Sequence, residues 1–139
     1  MPALRETIDR FGHDHGIGTD FAAGPLRDVP EDLETLAYRV VQEALSNVGK
    51  HADASAVSVQ VEVDASQLRI EIEDDGVGFD SALVREFLRM GRVGLASMRE
   101  RVELASGTFV VHSTPGRGTT ILATLPLDTI TLPQELATR

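Results

Sequence analysis

The chain has 139 residues, 42% hydrophobic and 25% charged, enough for one domain with a buried core. Its net charge of −9 argues against a nucleic-acid or anionic-membrane surface, and the absence of cysteine excludes disulfide frameworks, cysteine metal sites and thiol catalysis. No apolar run approaches the ~18 residues that span a bilayer, so direct membrane insertion is not expected and a cytosolic location is the default.

Residues 3–14 read as a short amphipathic helix, with Leu4, Ile8 and Phe11 on one stripe. Ile17, Thr19 and Phe21 alternate as a strand that Gly24-Pro25 ends. Asp28-Val-Pro-Glu31 is a helix start: Asp28 is a candidate cap, Pro30 fits the first turn, and Glu31 reaches back as in a capping box. The helix beyond it carries Leu33, Leu36, Ala37, Val40, Val41, Ala44, Leu45 and Val48 at helical spacing for about four turns.

Two alternating segments follow. Val57, Val59, Val61 and Val63 share one parity, and Leu68, Ile70 and Ile72 share another across the short turn Asp64-Ala-Ser66. They predict an antiparallel hairpin with one buried face. From Gly94 a second helix runs through Leu95, Met98, Val102 and Ala105, with Gly107 as its stop. Strands at 108–113 and 119–125 flank the turn Pro115-Gly-Arg-Gly118. Helices and antiparallel strands mixed without a regular βαβ rhythm predict an α+β fold, a two-layer α/β sandwich. Residues 1–127 form the domain, and 128–139 are expected to be a frayed tail.

Chemistry enters where polar residues break these patterns. Asp74 continues the inward parity of Leu68, Ile70 and Ile72, while Asp75 continues the outward parity of Glu71 and Glu73. A buried carboxylate needs donors, so Asp74 either caps a strand-end turn or serves a ligand. Asp75 is expected to meet only water. Gly76 and Gly78, just beyond, suit a tight turn or a close approach to the backbone.

On the long helix, Asn47 lies about 40° from Glu43, at the edge of the apolar stripe, and Lys50 falls close to Glu43 in angle. The three form a polar ridge, with His51 nearer the stripe's centre. The ridge is either a solvated flank with an ordinary i, i+4 hydrogen bond, or a carboxylate and an oxygen ligand aimed into one cleft. Gly91-Arg-Val-Gly94-Leu95 precedes a helix, so its amides are free to cradle phosphate; it is otherwise a flexible entry. Gly116-Arg-Gly118-Thr119 by itself is a turn.

Together these segments resemble the GHKL, or Bergerat-fold, ATPase superfamily of sensor histidine kinases, type II topoisomerases, the Hsp90 chaperone and the MutL repair protein. Glu43 to His51 resembles the asparagine box, Asp74 to Phe79 the first glycine box, Gly91 to Leu95 the second, and Gly116 to Thr119 the third. The phrase AYRVVQEALSNVGKHA and a lid of about a dozen residues resemble the catalytic domain of histidine kinases paired with NarL-type response regulators. That resemblance implies a mixed, mostly antiparallel sheet covered on one face by helices.

The resemblance also implies residue roles. ATP and Mg²⁺ are the expected cofactors, with Asp74 on the adenine amino group and Thr119 beside it. Gly76 and Gly78 let the backbone approach the base, and Asn47 is the Mg²⁺ ligand. Glu43 is the catalytic base or polariser, Lys50 and His51 contact phosphate, and Gly91, Gly94 and Leu95 form the lid hinge and phosphate cradle. The implied partners are a phosphoacceptor histidine helix and, indirectly, a response regulator. The isolated domain is expected to be monomeric and the full kinase dimeric, anchored to a membrane, if at all, through another segment.

Gly49 departs from a helical box and weakens its last turn. No stretch resembles the phosphoacceptor helix; His13 and His15 read as surface residues and His112 as structural. The chain therefore reads as an ATP site without its acceptor. A serine kinase of the anti-sigma-factor type and a non-catalytic, ATP-gated interaction module are the alternatives.

Overall fold

A computed structural model describes residues 2–24, 29–78 and 94–127, without the side chains of Pro2 and His51. Helix α1 (Pro2–His15) leads into strand β1 (Gly18–Ala23). Helix α2 (Glu31–Asn47) continues as a π-helical turn, Val48–Ala52. Strands β2 (Ala56–Val63) and β3 (Gln67–Asp74) form the predicted hairpin. Helix α3 (Leu95–Leu104) and strands β4 (Thr108–Ser113) and β5 (Thr119–Pro126) complete the described fold.

One five-stranded sheet runs in the order β1-β2-β3-β5-β4. Among the described strands, only β1 and β2 pair in parallel; the other three ladders are antiparallel. A parallel pair needs a crossover, and α2 supplies it. The inward residues Val57, Val59, Val61, Leu68, Ile70, Ile72, Ile121, Ala123 and Leu125 are all at most 5% exposed. They pack with Leu4, Ile8, Ala37, Val41, Ala44, Met98 and Val102 from α1, α2 and α3. The sheet is thus covered on one face, while alternate residues such as Glu62 and Arg69 face outward. This is the α+β sandwich expected from the pattern.

Two local details differ from expectation, and a third, the loosened end of α2, agrees with it. Pro30 is the N-cap of α2 rather than a first-turn residue, with φ −58° and ψ 146° and no side-chain cap bond. Its carbonyl accepts from Leu33 and Glu34 N–H at 3.0 Å, and Glu31, Asp32 and Glu34 complement the helix dipole. Asp28, the expected cap, lies outside the described residues, as does the tail at 128–139. At the end of α3, the left-handed residue is Ser106 (φ 65°), one before the expected Gly107. Ser106 N–H donates to Glu103 O and Gly107 N–H to Val102 O, each at 2.9 Å, closing a Schellman motif. Finally, α2 loosens into the π turn at Gly49, a helix-weakening residue.

The β2–β3 turn is fixed by Asp64, whose Oδ1 accepts from Ser66 N–H at 2.8 Å and Gln67 N–H at 2.9 Å. These bonds hold the Asp64 carboxyl below its ordinary pKa.

Candidate functional site

Residues from the end of β3, the β4–β5 turn and the π turn meet on one side of the fold. Asp74 is 7% exposed and points inward, as its parity requires. Its Oδ1 accepts from Gly76 N–H at 2.8 Å, and Thr119, its partner across β5, also donates a backbone N–H. Burial nevertheless raises the pKa of this carboxyl; those two bonds oppose the shift, and the charges of Asp75 and Glu73 add to it. Thr119 in turn shares a 2.8 Å hydroxyl contact with Ser113. Ser113 was not foreseen, because only the β4–β5 register places it opposite Thr119.

The first glycine has a packing reason of its own. A Cβ on Gly76 would collide with the Ala52 carbonyl oxygen and lie 2.7 Å from the Ala52 Cβ. Val77 N–H donates to that same carbonyl at 2.7 Å. The end of the π turn and the exit from β3 are thereby locked together. Gly78 adopts φ 64°, and the bond from Gly116 N–H to Val77 O at 2.6 Å ties this segment to the β4–β5 turn.

Asp75 corrects the expectation that it meets only water. Its side chain is exposed, yet Oδ1 accepts from Ser55 N–H at 2.8 Å and Ala56 N–H at 2.9 Å. Asp75 therefore fastens the start of β2, and these bonds lower its pKa. No sequence pattern announced this, since Ser55 lies twenty positions away. A lowered carboxyl contributes stability that is full above its unfolded pKa of 3.8 and is lost as pH falls through the lower folded value. Asp75→Asn should lower the thermal midpoint at pH 7 and leave nucleotide affinity unchanged, as calorimetry and titration would show.

The α2 ridge approaches from the other side. Glu43 and Asn47 are half-buried and Lys50 is exposed; the His51 side chain lies outside the described residues. Asn47 Nδ2 is buried and has no hydrogen-bond partner among the described residues. Gly94 caps α3 in the left-handed region (φ 75°) and faces Glu43: a Cβ there would lie 2.6 Å from Glu43 Cδ. Leu95 is 2% exposed, so its side chain belongs to the core and its backbone amide is what it can offer a ligand. Gly91 and the expected lid lie outside the described residues. Beside Glu43, a crevice between α2 and α3 is lined by Arg39, Gln42, Ser97, Met98 and Arg101.

Fold and site together are those of a half-covered sheet with a buried acid at one strand end. The family described as histidine kinase-, DNA gyrase B- and HSP90-like ATPase matches residues 32–129, and the chain belongs to that family. It is 38% identical over 130 residues to the signal transduction histidine-protein kinase/phosphatase DegS of Brevibacillus brevis, covering 93% of this chain and 33% of that protein. It is also 38% identical over 130 residues to the sensor histidine kinase NarS of Mycobacterium tuberculosis, covering 91% and 29%. The chain thus spans about a third of the length of these curated relatives. Among solved structures, the histidine kinase domain of a blue-light activated histidine kinase from Erythrobacter litoralis superposes with a TM-score of 0.74 at 26% identity. That match covers 93% of this chain and 62% of the other.

Proposed function

We propose that the chain is the catalytic ATP-binding domain of a sensor histidine kinase and passes the γ-phosphoryl group of ATP to a histidine on another domain. The observation that carries this reading is Asp74, a carboxylate held 7% exposed at the end of a strand in an ATPase-family fold. Two backbone N–H groups orient it, which leaves acceptor capacity for an adenine amino group. Thr119 and its hydroxyl neighbour Ser113 stand beside it. The transfer breaks the β,γ-bridging P–O bond and forms an N–P bond, and the imidazole proton passes to Glu43. Lys50, His51, Gly94 and the Leu95 amide flank the phosphates, and Gly91 hinges the lid.

Asn47 fits a magnesium ligand. Its buried, unpartnered Nδ2 exchanges with Oδ1 by a half-turn of the amide, which presents a carbonyl oxygen at the same place. Among the described residues no three His, Cys, Asp or Glu side chains converge as a metal cage. One amide oxygen suits an ion that arrives with phosphate oxygens and water. Magnesium, when bound, neutralises phosphate charge. The partners are a phosphoacceptor helix and, through it, a response regulator, in line with relatives named sensor histidine kinases.

Labelled ATP with a separate histidine-helix domain of the parent kinase is the test. Glu43→Gln should keep nucleotide binding and slow labelling about 100-fold or more, as expected for loss of a general base. Asn47→Ala should flatten the Mg²⁺ titration of nucleotide binding. Labelling of a serine on a protein antagonist instead, or an unchanged metal titration, would overturn the corresponding assignment.

A further inference from the structure

His15 was expected to be an unremarkable surface residue, and its side chain is largely exposed. Its ring, however, lies against the backbone of Gly49. A Cβ on Gly49 would sit 2.8 Å from His15 Cε1, 3.1 Å from Nδ1 and 3.2 Å from Nε2. Three ring atoms at nearly equal distance mean that the imidazole lies flat over the Gly49 Cα. Ordinary carbon contacts are about 3.5–4.0 Å, so the notch exists only because residue 49 has no side chain.

The ring has a second neighbour. Phe11 stacks on it with centroids 4.5 Å apart and planes at 33°, and Phe11 is itself buried. Further back, Thr7 Oγ1 and Tyr38 OH are 2.8 Å apart, tying α1 to the middle of α2. Thr7 meets Tyr38 and His15 meets Gly49, so the two helices run side by side in the same direction.

What this contact controls follows from its place in the chain. The π turn is pinned at its far end, where Ala52 O accepts from Val77 N–H, and it leaves through Asp53 in the left-handed region (φ 51°). Its near end carries Asn47, whose Nδ2 has no hydrogen bond to fix it. Backbone position must therefore place Asn47 and Lys50, and Gly49 lies between them.

We propose that His15 is a positioning residue: its imidazole, seated in the Gly49 notch, sets the π turn that aims Asn47 and Lys50 at the nucleotide. This rests on the nucleotide site proposed above. It also makes α1 a lever, because a shift of α1 along α2 would slide the ring off Gly49 and release the turn.

Two readouts separate this idea from the site assignment itself. The first is the dissociation constant of a fluorescent adenine nucleotide with Mg²⁺. His15→Ala and Gly49→Ala should each weaken binding about fivefold to tenfold, the double variant no more than either alone, and His15→Phe, which keeps a flat ring, little. The second, amide hydrogen exchange over residues 48–52 without nucleotide, should speed up in His15→Ala while global stability barely changes. Multiplying effects in the double variant, or unchanged exchange in His15→Ala, would overturn the proposal. If the wild-type chain binds no nucleotide, the site assignment fails, and the exchange arm still decides the role of His15 on the turn.

Discussion

Asp74→Asn should make the ligand-free domain more stable and a poorer nucleotide binder. Burial raises the folded-state pKa of Asp74 above its ordinary value of 3.8. The sign then follows from linkage: this group's contribution is fully present below the unfolded pKa and is lost as pH rises through the raised folded pKa. At neutral pH the ionised acid is thus a standing cost, and a neutral amide of the same shape removes it. Asn still offers an oxygen to the Gly76 N–H group. It cannot offer the charge that strengthens a hydrogen bond from an adenine amino group. Loss of a charge-assisted bond is worth about 1.5–3 kcal/mol, or roughly 10- to 150-fold in affinity. Thermal unfolding of the apo domain and titration with ATP should therefore move in opposite directions. If both fall, Asp74 acts in the structure and not on the ligand.

Gly76→Ala should be among the most damaging single-methyl additions in the described fold. The added carbon meets the Ala52 carbonyl and lies 2.7 Å from the Ala52 Cβ, so one backbone must retreat. The Val77-to-Ala52 hydrogen bond at 2.7 Å lies in the path of that retreat. Overpacking of about 1–3 kcal/mol and a lost bond of about 1 kcal/mol together predict a loss of about 2–4 kcal/mol. The denaturant midpoint should drop while the m-value stays constant. Nucleotide affinity measured well below the melting temperature should also fall, because Gly76 joins the Asp74 segment to the turn that follows Asn47. A wild-type midpoint would show that Ala52 yields freely.

The periodic parts of the chain were legible. Hydrophobic spacing located α2, the β2–β3 hairpin and both later strands, and strand parity alone sent Asp74 inward. The ridge of Glu43, Asn47 and Lys50 was visible as polar positions beside an apolar stripe. What stayed hidden depends on contacts between distant segments. Asp75 looked solvated because its partners, Ser55 and Ala56, enter only through the fold. His15 looked incidental because Gly49 meets it across two packed helices. The parallel β1–β2 pair also left no local mark, since pairing direction belongs to the crossover and not to either strand. Gly76 shows a subtler limit: no local pattern announced that Ala52 packs where its Cβ would be.

One arrangement near Glu43 has an electrostatic consequence. Glu43 lies on a helical run that continues through Val48–Ala52, while α3 begins at Gly94 directly against its carboxylate. The positive end of α3 therefore already faces an acid. An incoming triphosphate enters a field already half-compensated by Glu43 and must share the α3 end with that acid. A polyanion alone would be repelled at short range. A nucleotide carrying its own cation would relieve that repulsion, the cation toward Glu43 and the phosphates toward α3. At the proposed nucleotide site, an acid set against a helix start would thereby favour metal-bound nucleotide over the bare anion.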